Sequence, residues 1–124
     1  MTSTNYFSVD ELKCTHTGEY FFDDDVLKIL NAIRAEFGPM IVMSGCRAPS
    51  HPIEAAKEAA GRPLGAHCSG KAVDIGVSRD DAYRLIETAL AHGCPRIGVN
   101  QKGSGRFIHL DWDYTRPYPT IWSY

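Results

Sequence analysis

Phe107-Ile108-His109-Leu110-Asp111-Trp112 alternates apolar and polar residues over one short run. In a strand, successive side chains point to opposite faces. Ile108, Leu110 and Trp112 then face a core, while Phe107, His109 and Asp111 face the other way. A histidine and an aspartate on a covered face are costly without partners, so the second face of this sheet reads as a site. Arg96 to Val99 reads as its paired strand around the Gly103-Ser104-Gly105 turn. Upstream, Val26, Leu30, Ile33 and Phe37 recur at helical spacing from Asp23 to Phe37, with Asp23, Asp24 and Asp25 at the positive end and Gly38-Pro39 as the stop.

Further elements follow the same logic. Ser8-Val9-Asp10-Glu11 is a capping box opening a short helix. Met40-Ile41-Val42-Met43 reads as a buried strand running into the turn-rich loop Ser44-Gly45-Cys46-Arg47-Ala48-Pro49. Pro52 to Ala60 has helical composition, and Gly61-Arg62-Pro63 ends it. Ala72 to Gly76 reads as a short strand. Ser78 caps a second strong helix whose Ala82, Leu85, Ile86, Ala89 and Leu90 form one face, closed by Gly93. His92, near the end of that helix, is explained as a partner of the helix dipole. Tyr114 to Tyr124 reads as an extended segment packed along the surface. The pattern predicts a small α+β fold, with 1–124 as one domain.

Bulk properties exclude several classes. The net charge is −2, from 13 basic and 15 acidic residues, which leaves no nucleic-acid footprint. No apolar run is long enough to span a bilayer. Met1-Thr2-Ser3-Thr4-Asn5-Tyr6 lacks a basic start followed by an apolar stretch, so no signal peptide is expected and synthesis in the cytoplasm is. Cys14, Cys46, Cys68 and Cys94 are scattered without a CxxC pair and read as reduced, mostly buried thiols. Cys14 and His16 offer two donors for a second metal but lack partners. His51, in a loop before a proline, is a candidate substrate contact.

The chemistry concentrates in His67-Cys68-Ser69-Gly70-Lys71-Ala72-Val73-Asp74. Gly70 and Ala72 are small and permit close backbone approach between His67 and Asp74. With His109, these give two imidazoles and a carboxylate on separated segments, a donor set suited to Zn2+. Three protein ligands leave a fourth position for water, as in catalytic zinc sites.

The run Gly65-Ala66-His67-Cys68-Ser69-Gly70-Lys71-Ala72-Val73-Asp74 resembles the SxHxxGxAxD motif of zinc D-alanyl-D-alanine carboxypeptidases, the VanY-like family of the lysostaphin/hedgehog superfamily. Ser44 to Pro49 resembles their SGYR-type loop, and Phe107 to Asp111 their final histidine strand. Tyr6 to Cys14 is similar to the N-terminal segment of compact phage-encoded members. The motif serine is replaced by Gly65, with no metal ligand lost. An acidic residue that some relatives carry three positions before the last histidine is Arg106 here.

The resemblance implies a small antiparallel sheet carrying the zinc site, with helices on one side. It implies a monomeric zinc peptidase acting on bacterial peptidoglycan peptides, as a carboxypeptidase or an endopeptidase, and a phage endolysin reaching the wall after release or particle delivery. His67, Asp74 and His109 would hold the metal. With Arg106 unable to accept a proton, Asp111 becomes the candidate base. Two other roles stay open for it: a carboxylate that orients a ligand histidine, or a ligand itself with His109 as base. Arg47 is a candidate carboxylate anchor or a loop salt bridge. Trp112, Tyr114, Tyr118 and Trp122 line a groove or pack the tail. A non-catalytic zinc-containing wall-binding domain and a virion structural domain are the competing functions.

Overall fold

A computed structural model describes residues 4–124; Met1, Thr2 and Ser3, part of the stretch read for a signal peptide, lie outside the described residues. Helix α1 (Val9–Leu12) opens on the expected capping box, with Ser8 and Glu11 satisfying each other's backbone amides. Helix α2 (Asp24–Phe37) is capped by Asp23, whose carboxylate accepts the Val26 amide at 2.9 Å. Strand β1 (Val42–Ser44), helix α3 (Pro52–Ala59) and a 3-10 turn (Ala66–Ser69) lead to strand β2 (Ala72–Ile75). Helix α4 (Arg79–Ala91) precedes strands β3 (Arg96–Asn100), β4 (Phe107–Asp111) and β5 (Thr120–Ser123).

The five strands form one sheet in the order β1-β2-β4-β3-β5, antiparallel except for the parallel pair β3–β5. The fold is α+β. One sheet face carries Val73, Ile75, Ile97, Ile108 and Leu110, which pack with Val26, Leu30 and Ile33 of α2 and Ala82, Leu85 and Ala89 of α4. The period-2 alternation of β2 and β4 therefore decides which residues remain for the opposite face. Register aligns Ser44, Asp74, His109, Gly98 and Trp122 in a single row across all five strands.

Three expectations need correction. The Met40–Met43 run is not a buried strand: Ile41 is 71 % and Met43 49 % exposed, because β1 is the sheet edge and pairs only with β2. Leu90 does not join the buried face of α4 and is exposed. The tail is not merely extended: residues 120–123 add a parallel strand beside β3. Gly70 does serve close approach, but to the Phe21 backbone; it is left-handed (φ 71°), and a Cβ there would clash with the Phe21 carbonyl.

Candidate metal centre

His67 sits in the 3-10 turn, Asp74 on β2 and His109 on β4, and all three are buried. One donor atom from each lies within 4.8 Å of the others, and they form a possible metal-binding group among the described residues. Asp74 Oδ1 is the hub, 2.9 Å from His109 Nδ1 and 3.3 Å from His67 Nε2. A tetrahedron with bonds of about 2 Å has edges of about 3.3 Å, so these spacings suit zinc.

The strongest sign that these residues suit a cation is His67. Its Nδ1 lies 2.6 Å from the Gly45 carbonyl, which can only accept, so the proton is on Nδ1. Nε2 is left buried with no hydrogen-bond partner. Neutral His67 thereby aims a lone pair at a carboxylate oxygen, and a cation between the two makes that pairing favourable. Burial pushes His67 below its ordinary pKa, which keeps it neutral and ready to ligate. Burial alone would raise the Asp74 carboxyl, but the hydrogen bond from His109 outweighs it and holds the group well below the usual carboxylate range. Burial also opposes a charged His109, yet Asp111 and Asp74 outweigh that and raise it.

Asp111 lies behind His109. Its Oδ2 is 2.6 Å from His109 Nε2, while Oδ1 accepts from Arg96 Nε at 2.8 Å and from the Asp113 amide at 3.1 Å. The side chain is fully buried. Of the three roles open to it, this geometry favours the carboxylate that orients a ligand histidine and fixes its tautomer.

The three donors open onto a cleft of about 550 Å³. Arg47 lines it, but its guanidinium is already engaged: Nε donates to Ser44 Oγ (3.1 Å), Nη1 to Glu54 Oε2 (3.3 Å) and Nη2 to Asp74 Oδ2 (3.2 Å). Trp122 packs against His109 with ring centroids 5.2 Å apart. The other aromatics read for a groove lie elsewhere: Trp112 is in the core, and Tyr114 and Tyr118 are exposed and stack edge-to-face on each other. Arg106 donates to the Gly103 carbonyl and lines a separate open trough of about 910 Å³. His51 caps α3 by accepting the Ile53 amide, and His92 pairs with Glu36 at 3.2 Å at the end of α4.

Sequence reasoning missed Glu54, Lys57, Arg96, Arg116 and Tyr124. Glu54 is fully buried and holds Arg47, Lys57 and the Gly65 amide. Burial by itself would raise its carboxyl; the Gly65 amide and Lys57 outweigh burial and bring it to about 2. Glu54 and Lys57 have the i,i+3 spacing of an ordinary helix ion pair, and nothing in the sequence separates this buried pair from a solvated one. All four cysteines are free, and three are buried. No helix among the described residues is long and apolar enough to cross a membrane.

The family described as Peptidase M15 matches this chain over residues 5–111, a span that includes His67, Asp74 and His109. No curated protein and no solved structure matches it.

Proposed function

The chain belongs to the peptidase M15 family, and from that membership we propose that it is a zinc-dependent peptidase hydrolysing peptide bonds of bacterial peptidoglycan. The observation that supports the metal is the buried, unpartnered Nε2 of His67 facing Asp74. His67 Nε2, Asp74 Oδ1 and His109 Nδ1 would hold the ion. Bound there, zinc supplies a water of lowered pKa and a Lewis acid for the scissile carbonyl.

The chain's own residues prepare that chemistry. The Gly45 carbonyl fixes the His67 tautomer. Asp111 acts through His109, accepting a hydrogen bond from its Nε2–H, so that an incoming ion that displaces the Nδ1 proton would meet the Nδ1 lone pair. Arg47 holds the second oxygen of Asp74 and leaves the first for the ion. The walls carry Arg47, Lys57, Arg96 and Arg116, each paired with a carboxylate of the chain, and these cations offer hydrogen-bond donors to wall peptides with free carboxylates. The resemblance to VanY-like and compact phage enzymes supports the peptidoglycan substrate and a lytic role after release or particle delivery.

One observation favours a second reading, a zinc-holding wall-binding module without turnover. Asp111 has both oxygens engaged, and Arg106 stands where some relatives carry an acid. Mass spectrometry of purified peptidoglycan incubated with the protein separates the two. We expect newly released peptides or D-alanine with zinc, and none with a chelator or with His67→Ala. Binding to peptidoglycan without any released fragment would establish the second reading instead.

A further inference from the structure

The four cations of the cleft differ in how many of their donors are in use. Arg47 is held through all three of its nitrogens. Arg96 donates to Asp111 and the Pro117 carbonyl and lies 4.9 Å over the Trp122 ring. Arg116 donates to Asp113 and the Leu64 carbonyl. Lys57 makes one contact among the described residues, from Nζ to Glu54 Oε2 at 3.2 Å, on an oxygen it shares with Arg47. An ammonium has three N–H donors, so two remain on a side chain that is 27 % exposed and lines the cleft.

Gly65 makes that position possible. A Cβ there would lie 2.8 Å from Lys57 Nζ and 3.1 Å from Glu54 Oε1. A side chain at residue 65, including the serine of the resembled motif, would make the ammonium shift away from its present place beside the loop. The Gly65 amide itself donates to Glu54 Oε1 at 2.6 Å. Glu54 thus fixes both the ammonium and the loop that enters His67. Glu54 Oε2 is shared between Arg47 and Lys57, so the ammonium does not have that oxygen to itself.

We propose that Lys57 binds a carboxylate of the peptide substrate, and that Gly65 is the residue that admits it. The inference rests on the peptidase reading and assigns it a specificity residue. A partly desolvated ammonium, fixed in place by a buried carboxylate, gains charge-assisted hydrogen bonds from an incoming carboxylate at little ordering cost. Arg47 keeps two of its five N–H donors, but it is held at three points and its side chain is 12 % exposed against 27 % for Lys57, which makes it the weaker candidate. The carboxylate comes either from the peptide's C-terminus, which directs removal of the last residue, or from an acidic side chain within it, which directs internal cleavage.

Equilibrium binding followed by NMR titration on the metal-free chain tests this without turnover. Two probe pairs distinguish the sources. One is acetyl-D-alanyl-D-alanine against its C-terminal amide, and the other is an amide-capped glutamyl peptide against its glutaminyl counterpart. The wild type should bind the acid member of one pair more tightly by on the order of tenfold. Lys57→Gln and Gly65→Ser should bring that ratio close to one, and Lys57→Arg should retain part of it. A wild type with no acid preference in either pair, or a folded Lys57→Gln that keeps the full preference, overturns the proposal. Failure of the peptidase reading registers separately, as the absence of released fragments from peptidoglycan.

Discussion

Two carboxylates decide the site at the scale of single residues. Asp111 fixes His109 from behind, and Asp111→Asn replaces an acceptor with an amide that can present a donor to the same nitrogen. Zinc affinity should fall by about 10- to 100-fold, measured by competition with a chromophoric chelator. An unchanged affinity would mean that His109 is oriented by its packing alone. Glu54 is the charge under the cleft wall. Its folded pKa, about 2, lies below the ordinary 4.5, so its contribution is complete above pH 4.5 and is lost as pH falls toward 2. That contribution is roughly 3 kcal/mol at pH 7 and a little over 1 kcal/mol at pH 3. Glu54→Gln cannot titrate, so urea denaturation should show the variant less stable at pH 7, with the gap to wild type narrowing by about 2 kcal/mol at pH 3. An equal gap at both pH values would assign the loss to shape rather than charge.

At the scale of elements, β5 completes the site face by laying Trp122 over the bare backbone of Gly98. A Cβ on Gly98 would come 2.7 Å from the indole, and Trp122 in turn packs on His109 and under Arg96. Gly98→Ala should therefore cost about 1–3 kcal/mol and loosen Trp122. The chain's other tryptophan, Trp112, is buried in the core, so a rise in acrylamide-quenchable fluorescence reports Trp122 directly. Stability within about 0.5 kcal/mol of wild type and unchanged quenching would show that the tail adapts freely. This strand is also where sequence reading stopped. Helix α2 and strand β4 were legible because one periodicity repeats without interruption in each. The tail carries Pro117 and Pro119 and pairs in parallel with a strand 24 positions earlier in the chain (Arg96 with Thr120), which no local pattern encodes. Edge and centre were equally indistinct for β1, since an apolar run reads alike in both. His67, Asp74 and His109 stood out by residue type and spacing, but Glu54 did not, because its burial depends on the loop that folds over α3.

On the scale of the whole molecule, the proposed metal centre would tie parts of the chain that the apolar core leaves on the other side of the sheet. Asp74 and His109 belong to strands whose opposite face is packed against α2 and α4, whereas His67 comes from a short 3-10 turn held through Gly45 and Gly70. An ion joining the three adds a link between that turn and the sheet which the unfolded chain cannot make, so binding contributes to folding stability. The increment follows mass action: about 2.7 kcal/mol when free zinc is 100 times its dissociation constant, and about 1.4 kcal/mol more for each further tenfold. Thermal unfolding of the wild type should shift upward with zinc and return on adding a chelator. His67→Ala leaves a cavity and takes the donor from the Gly45 carbonyl, so the metal-free variant should itself lose about 1–3 kcal/mol, and it should in addition show no zinc increment. The comparison separates a ligand from a packing residue. If zinc stabilised His67→Ala as much as the wild type, the ion would have to bind elsewhere, and the cluster of two histidines and an aspartate would be a hydrogen-bonded network rather than a metal centre.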